Sequence, residues 1–210
     1  MIRVLLVDDH AVVRTGFRLL LQTAADVTVA AEAESGEAAC RIYAPGEHDV
    51  VVIDISMPGM GGLEALRRLR MRHARARLLA LSAHDDPQHA RRALKLGALG
   101  FLSKRSAPEE LLKAVRTVAA NQRYVDPALA QALALAEIDG GDSPFERLSE
   151  REFDVFLRLA RGASVSRIAE DLKLSSSTVG THLYNIKQKL GAANQAELTL
   201  LAIRHGLIEA

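Results

Sequence analysis

The sequence predicts an α/β N-terminal domain on a five-stranded parallel sheet, followed by an all-α C-terminal domain of four helices. Three observations carry this. Short β-branched runs alternate five times with helix-like stretches through the first 120 residues, the pattern of an open parallel sheet with helices on both faces. The run VVVID at 50–54 has no polar alternation, as a strand covered on both sides requires. The last 64 residues show helical periodicity and no strand-like alternation.

In order along the chain, strands are expected at 2–7, 27–33, 49–54, 76–82 and 99–103. Helices are expected near 11–24, 35–43, 61–72, 86–96 and 106–120. We divide the chain into a first domain over 1–120, a helix-bearing linker over 121–146 and a second domain over 147–210. In the linker, Asp126 is placed to cap a helix that Pro127 enters at its first turn, and the run DGGDSP breaks it. In the second domain, Ser149 and Glu152 have the spacing of a capping box, and Leu148 and Phe153 that of a hydrophobic staple. Further helices are expected at 164–172, 175–189 and 194–204.

Composition narrows the function classes. With 49% hydrophobic residues the chain can bury sizeable cores, yet no apolar stretch reaches the roughly 18 to 20 residues that span a bilayer. No membrane partner is therefore expected. The opening MIRVLLVDDH places two acids where a signal peptide would need an apolar run. Cys40 stands alone, which excludes an internal disulfide and is most simply a small buried apolar group. Together these point to a reduced, cytoplasmic compartment. Net charge is only +1, but it is unevenly spread: residues 121–146 hold one Lys/Arg against five Asp/Glu, and 173–191 hold three lysines and no acid. The run RRLRMRHARAR packs six arginines without an acid; it reads as the solvated face and end of a helix, where Arg suits the C-terminal dipole.

In an open α/β sheet, ligands bind beyond the carboxyl ends of the strands. There the sequence delivers Asp8 and Asp9 from the first strand, Asp54 from the third, Ser82 from the fourth and Lys104 after the fifth. Crowded carboxylates repel unless a hard cation such as Mg²⁺ sits among them. A carboxylate so placed can attack phosphorus while metal and Lys offset charge on the phosphoryl oxygens. His10 and His84 have no ligand-spaced histidine partner and read as solvated polar residues.

The segments VLLVDDH, VVIDISMPGMGG, ALSAHDD and GALGFLSK resemble the flavodoxin-like receiver domain of bacterial two-component response regulators. The resemblance implies Asp54 as phosphoacceptor, with Mg²⁺ (or Mn²⁺ in its place) held by Asp8, Asp9, Asp54 and the backbone carbonyl of Ser56. It implies Lys104 as the phosphate-pairing lysine, Ser82 as the hydroxyl switch and Phe101 as the aromatic switch. Ser56 and His84 occupy positions expected to tune dephosphorylation. Many receivers place Pro after the lysine; here Arg105 follows Lys104.

Near the C-terminus the pattern is helix, short turn, helix. On the second helix Val179, Leu183, Ile186 and Leu190 recur at 3.6-residue spacing and face a core. The opposite face presents Gly180, Thr181, Tyr184 and Gln188, flanked by Lys187 and Lys189. Ser176, Ser177 and Thr178 sit at its start, where free N–H groups suit a phosphate. This is helix-turn-helix patterning, with the second helix expected in the major groove. Residues 147–208 resemble the LuxR-type DNA-binding domain of NarL/FixJ-type regulators, with the texture of the GacA/UvrY subgroup. Gly180 and Tyr184 stand where that family commonly has basic or polar residues, and Val165-Ser166-Arg167 replaces its usual Asn-Lys-Glu. On the last helix, Leu198, Leu201, Ala202 and His205 form a stripe that packs within the domain and, by resemblance, pairs two domains.

The expected function is a DNA-binding response regulator, not an enzyme in the usual sense. A sensor histidine kinase phosphorylates Asp54, and the chain, as a homodimer, binds promoter DNA. The alternative is a regulator acting through protein contacts or without phosphorylation. A phosphatase of the haloacid dehalogenase type would want an Asp where this chain has Ser56.

Overall fold

A computed structural model describes residues 1–83, 87–127, 129–131, 133, 144–172, 174–205 and 207–208. The chain divides into two compact units, Met1–Gly140 and Gly141–Ala210. The N-terminal unit carries β1 (Ile2–Val7), β2 (Val27–Ala33), β3 (Val50–Asp54), β4 (Leu78–Ser82), β5 (Gly100–Ser103) and β6 (Tyr124–Val125). All pairings are parallel, in the order β2-β1-β3-β4-β5-β6.

The sheet thus has six strands where the sequence predicts five. The sixth is a two-residue edge strand, Tyr124–Val125 opposite Gly100 and Phe101. Two residues carry no readable alternation, and their extended state comes from pairing with β5 rather than from local preference. Tyr124 and Val125, assigned from sequence to the linker, therefore belong to the sheet.

Period-2 geometry splits each strand between two cores. Val4, Leu6, Val50, Val52, Leu79 and Leu81 meet α1 (Ala11–Leu21) and α5 (Pro108–Ala119) through Leu21, Leu111, Val115 and Val118. On the other face Leu5, Val7, Val51, Ile53, Leu78 and Ala80 meet α2 (Gly36–Ile42), α3 (Gly62–Arg72) and α4 (Pro87–Lys95). Each buried Leu, Ile or Val contributes about 1.5–3 kcal/mol, and every residue of β3 is buried. Residues 127, 129–131 and 133 are helical, the turn opening with the Ala130 N–H on the Asp126 carbonyl at 2.8 Å. Leu129 is buried in the cluster that holds Phe101.

The C-terminal unit begins with a 3₁₀ turn, Pro144–Arg147, followed by α6 (Glu150–Ala160), α7 (Val165–Asp171), α8 (Ser176–Leu190) and α9 (Gln195–Arg204). The capping box at Ser149 and Glu152 is formed in both directions. Ser164, Ser175 and Asn194 cap the other three helices through their side chains, and Gly191 ends α8 in the left-handed conformation that favours glycine. The core gathers Phe145, Phe153 and Phe156, with the Phe145 and Phe156 rings 4.9 Å apart. Phe145, read from sequence as linker, is thus part of this core. The arginine run behaves as its solvated reading implies: Arg67 and Arg68 both pair with Glu64.

Candidate functional site

The strand order reverses at β1, between β2 and β3, and an open sheet of this kind offers a crevice beyond the strand ends there. Asp8 directly follows β1, and Asp54 closes β3; both are buried. Lys104, in the loop after β5, bridges them: its Nζ lies 2.6 Å from Asp8 Oδ2 and 2.7 Å from Asp54 Oδ2. The remaining oxygens are also held. Asp54 Oδ1 accepts from the Ser56 N–H at 2.9 Å, and Asp8 Oδ1 from the His10 N–H at 2.8 Å. The Lys104 N–H donates to the Ser82 carbonyl at 2.7 Å, which ties the lysine's loop to the end of β4. Burial pushes the Asp54 carboxyl up, against the pull of Lys104. Burial alone would lower the Lys104 ammonium, but Asp54 and Asp8 more than reverse this and hold it above its ordinary value.

One ligand atom from each of Asp8, Asp9, His10 and Asp54 lies within 4.8 Å of the others. Asp9 Oδ1 and Ser56 Oγ are buried at this rim with no hydrogen-bond partner. Three carboxylates against a single lysine, with an orphaned carboxylate oxygen, fit a hard divalent cation. Ser82 is fully buried at the end of β4, and Phe101 fully buried on β5. His84 lies outside the described residues.

His10 is exposed, as its solvated reading expects, and also lies beside the carboxylates. Two residues absent from the sequence reading shape this rim as well. Arg14, one turn into α1, donates to the Asp8 carbonyl at 2.6 Å and is braced by Glu32 at 3.0 Å. Glu37 on α2 accepts the Met60 N–H at 2.8 Å, pinning the loop that follows Asp54; its own backbone N–H, and then the Met60 bond, hold its carboxyl below the usual range. The pairing of Glu37 with a loop 23 residues on leaves no local sequence signal. That loop ends at Gly62, where an added Cβ would lie 1.9 Å from the Asp54 carbonyl oxygen, so α3 starts in backbone contact with the end of β3.

On α8, Val179 and Ile186 are buried and Leu183 and Leu190 half-buried, as their spacing predicts. Ser176, Ser177, Thr178, Thr181, Tyr184 and Gln188 are exposed, and Gly180 and Lys187 half-exposed. A Cβ on Gly180 would meet nothing within 4 Å, so no packing contact demands glycine there. Lys189 is otherwise engaged: its Nζ lies 2.5 Å from the buried Glu152 carboxylate, tying the end of α8 to the start of α6. On α9 the expected pairing stripe divides. Leu198 and Ala202 are fully buried in the unit's own core, because they face α6, and Leu201 is half-buried against it. His205 is exposed, with its ring edge-on to Phe145 at 5.2 Å. Leu200, outside the expected stripe, is the exposed leucine of this helix. Among the described residues no helix is long and apolar enough to cross a membrane.

Comparison with known proteins agrees with both units. Residues 4–116 match the response regulator receiver domain, and residues 146–202 match the bacterial regulatory proteins of the luxR family. The chain is 42% identical to the response regulator UvrY of Escherichia coli K12, over 100% of this chain and 97% of that one. It is 40% identical to the response regulator GacA of Pseudomonas viridiflava, over 100% and 99%. Among solved structures it is similar to the response regulator RcsB in complex with DNA, with a TM-score of 0.60 at 26% identity over 95% of this chain and 96% of that one. A receiver domain joined to a LuxR-type helix-turn-helix domain, matched over its full length by such relatives, places this chain among the NarL/FixJ-type two-component response regulators.

Proposed function

We propose that this regulator is switched by phosphorylation of Asp54 and, once switched, binds promoter DNA through α8. The observation that carries the reading is the buried Asp54 carboxylate at the topological switch point, 2.7 Å from Lys104 and clustered with Asp8 and Asp9. A carboxylate oxygen of Asp54 attacks the phosphorus of a sensor kinase's phosphohistidine. The O–P bond forms as the N–P bond breaks, and the leaving imidazole takes a proton. Asp8, Asp9, Asp54 and the Ser56 carbonyl would hold Mg²⁺, or Mn²⁺, which when bound offsets charge on the carboxylates and the phosphoryl oxygens. Lys104, already between two carboxylates, follows the negative charge onto the phosphoryl group. Ser82 and Phe101 then rearrange, Ser82 toward the phosphoryl oxygen and Phe101 within its core. Asp54 is both acceptor and product, so the chain takes up one phosphoryl group rather than turning substrate over.

The output face comprises Ser176, Ser177 and Thr178 at the N-terminus of α8, where N–H groups suit a phosphate, with Thr181 and Tyr184 toward bases. Lys187 and Gln188 serve on its flank. Lys189 supports the helix through Glu152. Two such domains on one duplex would place their α8 helices about one DNA turn apart. Of the C-terminal stripe, Leu201 and His205 remain available to such a dimer. The test is selection of bound sequences from random DNA by the full chain, with and without acetyl phosphate, alongside Asp54→Asn. Enrichment of one motif that strengthens with phosphodonor only in the native chain supports the reading; equal enrichment by Asp54→Asn refutes phosphorylation control, and no binding even at low salt refutes DNA as the output.

A further inference from the structure

We propose that His10 is a further protein ligand in the cation site and shifts its preference from Mg²⁺ toward cations that favour nitrogen, such as Ni²⁺. The inference rests on the reading of Asp8, Asp9 and Asp54 as a cation site. His10 Nδ1 lies 3.0 Å from Asp9 Oδ1 and 3.6 Å from Asp8 Oδ1. Asp9 Oδ1 is buried, and no hydrogen bond of good geometry reaches it, so the close approach of the imidazole is not that of a well-aligned donor. With Nδ1 as the unprotonated ring nitrogen, this spacing matches neighbouring ligands of an octahedral ion: metal–ligand distances of about 2.1 Å at right angles put adjacent ligands ~3.0 Å apart.

The backbone at His10 is fixed on both sides. Its N–H is bound by Asp8 Oδ1 at 2.8 Å, and its carbonyl accepts the Arg14 N–H at 2.9 Å. The ring makes no capping bond to α1, and its side chain is 56% exposed, open to an arriving hydrated ion. An imidazole beside carboxylates changes selectivity more than strength. Mg²⁺ gains little from nitrogen, whereas affinity for first-row metals rises from Mn²⁺ through Ni²⁺ when imidazole is among the ligands.

The test is calorimetric titration of the full chain with Mg²⁺ and with Ni²⁺, in native protein, His10→Leu and Asp9→Asn. The Ni²⁺ site is defined as the one that Mg²⁺ displaces. Because His10 caps nothing, His10→Leu should fold as the native chain does, which circular dichroism checks. We expect His10→Leu to weaken Ni²⁺ at that site by about tenfold or more while Mg²⁺ changes by less than about twofold. Unchanged Ni²⁺ affinity, or an equal loss for both ions, overturns the selectivity role of His10 but leaves the cation site standing. Absence of Mg²⁺ binding to the native chain, with Asp9→Asn indistinguishable from it, overturns the underlying site as well.

Discussion

Replacing Gly62 by alanine should disturb Asp54 without touching any charged group. The added Cβ would lie 1.9 Å from the Asp54 carbonyl oxygen and 2.5 Å from Ile55 Cα. Both are backbone atoms of a buried segment, so no side chain can swing away. Either the first turn of α3 or the end of β3 must shift by about 1 Å, an overpacking that costs ~1–3 kcal/mol. The upper end applies here, because the contact is backbone on backbone. At about 4 °C per kcal/mol for a domain of this size, the receiver should melt roughly 8–12 °C lower. The displacement falls on the phosphoacceptor itself, and misplacing a reacting group by about 1 Å costs ~10²-fold in rate. Phosphorylation by acetyl phosphate, followed by phosphate-affinity electrophoresis well below the melting point, should slow by about that factor. A Gly62→Ala protein with native melting and native phosphorylation rate would refute the claim that this contact sets the position of Asp54.

Further predictions concern the C-terminal unit. Lys189→Met should leave the buried Glu152 carboxylate with its Ser149 N–H bond alone. A charge-assisted bond is worth ~1.5–3 kcal/mol, and the half-exposed lysine, screened by solvent, puts the loss near ~1–2 kcal/mol, read as a lower thermal midpoint for this unit. The same pair predicts acid sensitivity. Burial opposes ionisation of Glu152, but Lys189 and Ser149 hold its carboxyl below the usual range. Its stabilisation is therefore complete above the unfolded value of about 4.3 and is lost as pH falls through the folded value. Glu152→Gln should flatten that limb of a stability-against-pH curve. Gly180→Ala has open space and should stabilise the unit by roughly 0.5–1 kcal/mol through helix propensity. Gly180→Lys should alter the affinity or sequence preference of DNA binding, and a Lys variant unchanged in both would show that this face does not meet DNA.

The fold was legible where local pattern and tertiary role coincide. The short, β-branched, unalternating VVVID has the pattern of a doubly covered strand, and Ser149 with Glu152 carries its partner three residues away. The carboxylates were legible for a topological reason: residues at the ends of parallel strands share one rim whatever their separation in sequence. What escaped depends on long-range partners. β6 is extended because β5 lies beside it. The ion pair of Lys189 was not legible because its partner Glu152 is 37 residues away. Leu198 and Ala202 lie on the side of α9 that α6 covers, so that half of the expected stripe is core, while Leu201 is half-buried and His205 exposed. His10 was set aside for want of a second histidine, whereas its neighbours at the rim are carboxylates. Arg14 and Glu37 act on backbone atoms, which no residue-type pattern registers.

The most direct test of the account is chemical mapping of the phosphoryl group. The full chain is incubated with Mg²⁺ and acetyl phosphate, reduced with borohydride to convert an acyl phosphate to homoserine, and its peptides are sequenced by mass spectrometry. Conversion is expected at residue 54 alone, abolished in Asp54→Asn and slowed in Lys104→Met. Conversion at another carboxylate, or sustained release of inorganic phosphate with residue 54 unmodified, would contradict it.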